Sequence, residues 1–242
     1  GKVVLVTGAG AGIGQAIAKG WAAAGAQVVC AARTRSDLDA TVADIQAAGG
    51  EAVAVTCDVT DHAQVQAMFG AAVKAYGGLD IVLINAGGGL ERATVEESDP
   101  KVWVQTQQVN LIGAYYTARE AIPHLKARGG GRILTMGSGM GRRGKPKGSA
   151  YAVAKAGLWM LVRVLAQELV EHNISVNEII PGPVVTERHR QQNLVSEPSS
   201  AFAIPNEWIK GPEDVVPLAL FLAAHPEPGP TAQFFSLNRR DN

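Results

Sequence analysis

Tyr151 and Lys155 stand four residues apart in an alanine-rich segment without proline, and their types and spacing suggest acid–base chemistry. Such a segment favours a helix, on which positions i and i+4 lie one above the other on the same face. An ammonium about 4 Å from a phenol, at an effective dielectric of about 20, stabilises the phenolate by about 4 kcal/mol. This would bring the phenol pKa from about 10 towards 7. The pair therefore predicts a general acid–base group, although a Tyr and a Lys on a half-exposed helix face would have the same spacing.

A glycine-rich segment at residues 7–14, Thr-Gly-Ala-Gly-Ala-Gly-Ile-Gly, separates an apolar run from a helical stretch. Glycines allow a tight turn and let the main chain approach a pyrophosphate, and the free N–H groups of the following helix attract the same anion. Because the segment lies between a strand and a helix, we favour dinucleotide binding over a merely flexible turn.

The residues after the second predicted strand indicate which dinucleotide is bound. NAD-binding folds place a carboxylate about 20 residues beyond the glycines, where it binds the ribose 2′-hydroxyl. Here that position falls near Ala32, Arg33 follows, and no Asp or Glu occurs between Gly25 and Ser36. A guanidinium suits a 2′-phosphate, which a carboxylate would repel. We therefore expect NADP in preference to NAD, the alternative being that Arg33 is an ordinary surface residue.

Strand-like and helical segments alternate along the chain and must position these residues. Continuous Val/Ile/Leu runs are typical of strands that are covered on both faces of a parallel sheet. The alternation predicts an α/β fold in one domain, residues 1–242, with a Rossmann-type doubly wound parallel sheet of about seven strands and helices on both faces. Strands are predicted at 3–6, 27–32, 52–56, 81–84, 132–136, 175–180 and 233–237, and helices at 13–24, 36–48, 61–76, 100–126, 151–172 and 214–224. A polar segment near 187–205 interrupts the alternation and is interpreted as a substrate lid, or else as a surface excursion.

The composition argues against several other classes of protein. There are 22 basic and 22 acidic residues, so the net charge does not indicate binding to nucleic acid or an anionic membrane. No apolar run approaches the ~20 residues of a membrane span, and the sequence does not open on a signal segment. The histidines lack metal-ligand spacing, and Cys30 and Cys57 are expected to be buried free thiols. We therefore expect no metal, no nucleic acid, no membrane partner and a cytoplasmic location.

Six motifs occur in a definite order along the chain. They are the glycine-rich segment 7–14, Asn85-Ala-Gly-Gly88 after the fourth strand, Asn110 in the long helix, Ser138 after the fifth strand, Tyr151-x-x-x-Lys155, and Pro181-Gly182 after the sixth strand. In this combination the sequence strongly resembles the short-chain dehydrogenase/reductase family over nearly its whole length. Chance occurrence of all six in order is very improbable, so the set is far more specific than any single motif.

The resemblance implies an NAD(P)-dependent oxidoreductase that transfers hydride between nicotinamide C4 and a ketone or secondary alcohol. Tyr151 would be the general acid in reduction and the general base in oxidation. Lys155 would lower the Tyr151 pKa and bind the nicotinamide ribose, and Ser138 would hydrogen-bond the substrate oxygen. Asn110 would hold a water in a proton relay that reaches Lys155. Ser138 could instead be a turn residue, and Asn110 a helix-interior group bonded to the main chain.

The resemblance also implies a set of cofactor contacts in the loops after the strands. Thr7 and Asn85 would tie the glycine turn to the fourth strand, and the loop 181–186 would hold the nicotinamide carboxamide. Asp58 would bind adenine together with Val59, unless it caps the next helix, a role for which Thr60 competes. The full predicted set is Gly8, Gly12, Ile13, Arg33, Asp58, Val59, Asn85, Tyr151, Lys155, Pro181, Gly182, Val184 and Thr186.

The sequence restricts the substrate and the oligomeric state less closely than it restricts the type of reaction. A small-molecule carbonyl or alcohol is expected, which could be a 3-oxoacyl compound, a sugar or polyol, or a small ketone. Basic residues after Ser138 either attract an acidic substrate or, as we favour, form a solvated loop: Arg142, Arg143, Lys145 and Lys147. A non-catalytic dinucleotide-sensing regulator and a nicotinamide-using epimerase remain alternatives. The resemblance further implies a homotetramer, with the helices 100–126 and 151–172 at one interface.

Overall fold

The computed structural model describes residues 1–191, 201–203, 205–226 and 229–239. Within these residues, seven parallel strands form one sheet in the order β3-β2-β1-β4-β5-β6-β7. The strands are β1 (Val3–Thr7), β2 (Gln27–Ala32), β3 (Glu51–Thr56), β4 (Ile81–Ile84), β5 (Gly131–Met136), β6 (Ile174–Ile180) and β7 (Phe234–Ser236). The doubly wound sheet predicted from the sequence is confirmed.

Helices cover both faces of the sheet. In the described ranges they are α1 (Gly12–Ala23), α2 (Arg35–Ala47), α3 (His62–Tyr76), α4 (Pro100–Gln107), α5 (Gly113–Ala127), α6 (Ser149–Leu169), α7 (Glu187–Gln191) and α8 (Val216–Ala224). One core cluster joins α1, α2 and α8 to the sheet, and the other joins α3, α5 and α6 to the opposite face. Because both faces are covered, every residue of β1 and of β6 is buried.

The longest helix belongs to the second of these layers. Together with a 3₁₀ turn that ends at His172, α6 runs for 24 residues, and by length and composition it is apolar enough to cross a membrane, with a mean hydropathy of 1.3. It packs Ala154, Leu158 and Val162 towards the sheet. Packing against a sheet requires such an apolar face, so composition alone is weak evidence for a membrane span.

The long helix predicted at 100–126 is divided by a wider turn. Helix α4 ends at Gln107, a π-helical turn spans Gln108–Ile112, and α5 continues the same run. Asn110 lies in this turn and is only 1% exposed. Single π turns inside α-helices occur frequently at functional sites, so the interruption directs attention to Asn110.

The predicted alternatives for the cap of α3 are both wrong. Asp61 is the N-cap, and its carboxylate accepts hydrogen bonds from the main-chain N–H groups of Ala63 and Gln64 at 2.9 and 3.2 Å. Asp58 Oδ1 instead accepts from the main-chain N–H and the hydroxyl of Thr60. Asp61 takes the role because it directly precedes the first helical residue, which leaves Asp58 to shape the loop after β3.

The topology creates a crevice at the carboxyl ends of two central strands. β1 pairs with β2 on one side and with β4 on the other, and the chain continues outward from each in opposite directions. Ligands of open α/β sheets bind at such a switch point. The loops that carry the predicted site residues therefore converge at one edge of the sheet. Part of the predicted lid, residues 192–200 and 204, lies outside the described residues.

Candidate functional site

The glycine-rich turn has the geometry that a pyrophosphate site requires. Gly8 and Gly12 have φ angles of 70° and 58°, a region that other residues rarely adopt. A β-carbon at Gly14 would overlap the carbonyl oxygen of Gly8, so the turn could not close around any larger residue there. Ala11, the N-cap of α1, has no side-chain acceptor, so the first N–H groups of the helix remain available to an anion.

Thr7 and Asn85 tie this turn to β4, as predicted. The Thr7 hydroxyl donates to the Leu83 carbonyl and accepts from the main-chain N–H of Asn85 at 3.0 Å. Asn85 Nδ2 donates to the carbonyls of Thr7 and Gly8 at 2.9 and 3.3 Å. These contacts fix the first glycine against the neighbouring strand at the switch point.

Arg33 and Asp58 line one cavity of about 690 Å³ beyond the carboxyl ends of β2 and β3. Lys101 of α4 and Val109 of the π turn line the same cavity. Arg33 makes no hydrogen bond or ion pair with any residue that the structure describes, whereas Arg35 is paired with Asp39 at 2.8 Å. The guanidinium of Arg33 is thus available to a phosphate. Val59 is buried instead and packs beside Gly113.

The loop after β6 lies against the glycine turn from the other side. The methyl group of Thr186 is 3.2 Å from the position that a β-carbon on Gly12 would occupy. Gly182 has a φ of 68°, and Val184 forms a parallel bridge with Lys210. The structure therefore brings Thr186 next to Gly12 of the predicted phosphate site, and Pro181, Gly182 and Val184 belong to the same loop.

His189 is a neighbour of this loop that the sequence did not single out for it. Its Nδ1 lies 2.8 Å from the hydroxyl of Thr186 and 3.3 Å from the Thr186 main-chain nitrogen. Since the main-chain N–H donates, Nδ1 acts as the acceptor, and the hydroxyl of Thr186 donates to it as well. The oxygen of Thr186 then keeps its lone pairs for an amide donor.

Ser138, Tyr151 and Lys155 meet at the carboxyl end of β5. Ser138 follows the strand, and its hydroxyl forms a hydrogen bond with the hydroxyl of Tyr151. Tyr151 and Lys155 both lie on α6, and Lys155 Nζ is 5.5 Å from the centroid of the Tyr151 ring. The ammonium donates to the Met136 carbonyl at 2.7 Å, and Lys155 is 4% exposed. Two half-buried hydroxyl donors and one buried cation thus converge at the carboxyl end of β5.

The expectation that Lys155 lowers the pKa of Tyr151 is wrong for this arrangement. Burial raises the Tyr151 pKa above its ordinary value, the hydrogen bond from Ser138 opposes that rise, and the carboxylate of Glu178 adds to it. Burial also lowers the pKa of Lys155 from 10.5 to about 8, although Glu178 opposes this. The ammonium sits over the phenol ring and is bonded to a main-chain carbonyl. Desolvation of both groups therefore outweighs their mutual attraction.

Asn110 is bonded to the main chain through its whole amide group. Its Nδ2 donates to the carbonyls of Gly88 and Thr106 at 2.9 Å each, and its Oδ1 accepts from the Gly88 N–H at 2.9 Å. Oδ1 and Lys155 Nζ lie 2.5 and 3.7 Å from the position of a β-carbon on Gly87. They are therefore at most about 6 Å apart, on two sides of the space beside Gly87 in which a bridging water would lie. The amide holds the loop after β4 and leaves one lone pair of Oδ1 for such a water.

The interpretation of the basic loop after Ser138 requires a correction. Arg143, Lys145 and Lys147 are exposed, as favoured. Arg142 is not solvated: its guanidinium forms an ion pair of 2.7 Å with Glu178, and the two side chains are 11% and 1% exposed. Glu178 was absent from the predicted site. A charged residue inside the apolar strand run of β6 was the signal that could have indicated it.

The comparisons with known proteins agree with this geometry. The family model described as short chain dehydrogenase matches residues 2–196. Elsinochrome reductase 1 of Elsinoe fawcettii is 37% identical, over 93% of this chain and 88% of that protein. A short-chain type dehydrogenase/reductase structure from Mycobacterium marinum has a TM-score of 0.89 and 33% identity, covering 98% of this chain and 93% of that one. A variant of the actinorhodin polyketide ketoreductase, solved with NADPH, has a TM-score of 0.89 and 28% identity over 98% of this chain and 95% of that one.

Proposed function

Since the chain belongs to the short-chain dehydrogenase/reductase family of oxidoreductases, we propose that it transfers hydride between NADP and a ketone or secondary alcohol. The observation that carries the proposal is the hydrogen-bonded pair of hydroxyls on Ser138 and Tyr151, with the Lys155 ammonium beside them. When bound, the nicotinamide supplies the hydride for reduction and accepts it in oxidation. The glycine turn fits such a group, because the first N–H groups of α1 have no side-chain cap and remain available at the switch point.

In the proposed reduction, Tyr151 is the proton donor. As negative charge develops on the carbonyl oxygen, the Tyr151 hydroxyl gives its proton to that oxygen, and Ser138 stabilises the charge by a hydrogen bond. Lys155 keeps a positive charge next to the phenolate that remains. A water held by Asn110 would carry a replacement proton as far as Lys155. In oxidation the same groups act in the reverse direction, with Tyr151 as the base.

The preference for NADP rests on Arg33. Its guanidinium is exposed at the mouth of the cavity that Asp58 and Lys101 also line, and it has no partner among the described residues. The two cations, Arg33 and Lys101, outnumber the single carboxylate of Asp58 in this lining. The balance favours a 2′-phosphate, whose charge Arg33 can bind by two parallel hydrogen bonds. The presence of NADPH in the ketoreductase structure at 28% identity lends support.

Turnover measured at the absorbance band of reduced nicotinamide tests the proposed reaction. We expect NADPH to be consumed with at least one ketone from a panel of 3-oxoacyl thioesters, keto sugars and small ketones. NADP should be reduced with the matching secondary alcohol. Binding of NADPH without turnover of any substrate class would contradict the proposal and favour the dinucleotide-sensing regulator.

The assembly we propose is a homotetramer with one interface on α4, α5 and α6. These helices expose large apolar side chains: Val104, Tyr115, Val153, Met160 and Val164 are 42–51% exposed. A row of such residues on neighbouring helices is typical of a protein–protein contact. Light scattering should give four times the chain mass of 25.2 kDa.

A charge introduced into this face should disrupt the assembly. Val164→Glu is expected to lower the mass measured by light scattering, because a carboxylate would be buried between copies. Val95→Glu is the matched control, since Val95 is 73% exposed and lies outside these helices, in the loop before α4. Wild-type protein with the mass of a single chain would refute the tetramer.

The cytoplasmic location and the single domain with its substrate lid stay predictions.

A further inference from the structure

The buried ion pair of Arg142 and Glu178 stands next to the proposed reaction centre without belonging to the predicted catalytic set. Glu178 lies on β6, and Arg142 follows directly on the 3₁₀ turn that Ser138 begins. Arg142 Nη2 is 2.7 Å from Glu178 Oε2. Removal of two charges from water is costly, and apolar side chains of similar volume often stabilise a fold as well or better. The pair therefore calls for an explanation other than stability.

The pair holds the loop of Ser138 on the sheet from two sides. The Glu178 carboxylate fills the space that a β-carbon on Gly137, the residue before Ser138, would need. Beyond Ser138, the Arg142 guanidinium lies 4.0 Å from the ring centroid of Phe234 on β7 and 5.3 Å from that of Trp159 on α6. Ser138 is thus fixed between Gly137 and Arg142, and both are in contact with the same carboxylate.

The Glu178 carboxylate also lies near the Lys155 ammonium of α6, because Lys155 Nζ is bonded to the carbonyl of Met136 and the carboxylate is in contact with the next residue, Gly137. The titratable groups that interact with its carboxylate are Arg142 from the Ser138 loop, and Lys155 and Tyr151 from α6. Burial raises the pKa of Glu178 itself, while Arg142 and, to a smaller degree, Lys155 lower it. The negative charge favours the protonated forms of both Lys155 and Tyr151. These are the forms that reduction of a carbonyl needs.

We propose that Glu178, held by Arg142, is a positioning residue of the reaction centre that fixes the Ser138 loop and places a negative charge near the Lys155 ammonium. Its benefit to catalysis rests on the proposed hydride transfer. The effect of Glu178 on the Lys155 pKa does not rest on hydride transfer, and it can be measured on the protein without any substrate.

An NMR titration of Lys155 tests the inference. Protein labelled with ¹³C at the lysine ε-carbons is titrated with base, and the Lys155 signal is identified by its loss in Lys155→Met. The pKa of Lys155, about 8, lies far below the ordinary value of 10.5. Glu178→Gln keeps the shape of the side chain and removes its charge. We expect it to lower the Lys155 pKa by on the order of half a unit to one unit, so the ammonium is lost at a lower pH.

Asp80→Asn is the matched control. Asp80 is also buried, and it pairs with Lys2 and Arg128 at 3.3 Å. It lies just before β4, at the amino ends of the strands, whereas the reaction centre lies at their carboxyl ends. Its replacement also removes a buried carboxylate, yet it should leave the Lys155 pKa unchanged. The double variant Glu178→Gln, Arg142→Gln guards against misfolding, since no unpaired buried charge remains, and it should lower the Lys155 pKa as well.

Two results would overturn the inference. One is a Lys155 pKa that stays at the wild-type value in both Glu178 variants, and the other is an equal decrease in Asp80→Asn. The titration does not depend on turnover. If no substrate were turned over, the proposed function would be refuted, but the result for Glu178 would still stand. Where turnover is found, the loss of kcat at high pH should move to lower pH in Glu178→Gln by the same amount.

Discussion

Replacement of Tyr151 by Phe is expected to lower kcat for ketone reduction by about 10²- to 10⁴-fold, the range that a positioned proton donor contributes. The phenol forms a hydrogen bond with Ser138, and Phe keeps the ring while it removes the only group in that pair that the proposal assigns to proton transfer. Binding of NADPH, followed by fluorescence, should change little because the ring and Lys155 remain. Stopped-flow measurement at the reduced-nicotinamide band would separate hydride transfer from product release.

Tyr115→Phe provides the control for this substitution. Tyr115 is 44% exposed on α5, so loss of its hydroxyl should leave kcat at the wild-type value. Retention of wild-type turnover in Tyr151→Phe would contradict the mechanism. Equal loss of turnover and of NADPH affinity would indicate that the ring itself had moved.

Replacement of Arg33 by Ala is expected to lower kcat/KM for NADPH by about 10- to 150-fold, with little change for NADH. A hydrogen bond to a charged group contributes about 1.5–3 kcal/mol, which corresponds to this factor. The substitution should change KM rather than kcat. Arg33 lines the cavity beyond the ends of β2 and β3, whereas Ser138 and Tyr151 lie at the end of β5. Steady-state kinetics with both dinucleotides measures it.

Arg35→Ala is a matched control two residues away. It removes the same charge, but Arg35 is paired with Asp39 on the surface of α2, so its loss should affect NADPH and NADH equally and weakly. A larger decrease for Arg35→Ala than for Arg33→Ala would place the phosphate elsewhere. Wild-type enzyme with a higher kcat/KM for NADH than for NADPH would refute the NADP preference itself.

Local patterns were sufficient for the architecture, whereas most of the predicted site residues came from the resemblance to the family. Apolar runs of four to six residues between glycines and helical stretches predict parallel strands, and the strands of the structure begin and end within one residue of those predictions. Tyr151 and Lys155 share a helix face because the period of the helix alone places them there. Gly8 and Gly12 have positive φ angles because only glycine closes such a turn without strain.

The charges of the site did not follow from local patterns. The sequence predicted a lowered Tyr151 pKa from its spacing to Lys155, whereas burial raises it. The depth of burial depends on every element that packs around a group, and spacing along one helix does not contain that information. The same holds for Arg142, whose partner Glu178 is 36 residues further along the chain and reaches it only because β6 lies beside β5.

By itself, then, the sequence determined the order of strands and helices and the glycine turn, since each depends on short-range periodicity or turn chemistry. The order of its motifs, through the family resemblance, singled out Ser138, Tyr151 and Lys155. Only the tertiary structure decided which groups those residues meet. It placed Lys155 against the Met136 carbonyl, set the Thr186 methyl beside Gly12, and buried a carboxylate below the Ser138 loop. Contacts between distant segments and the loss of water around them determine the electrostatics of this site, and both exist only after the sheet has assembled.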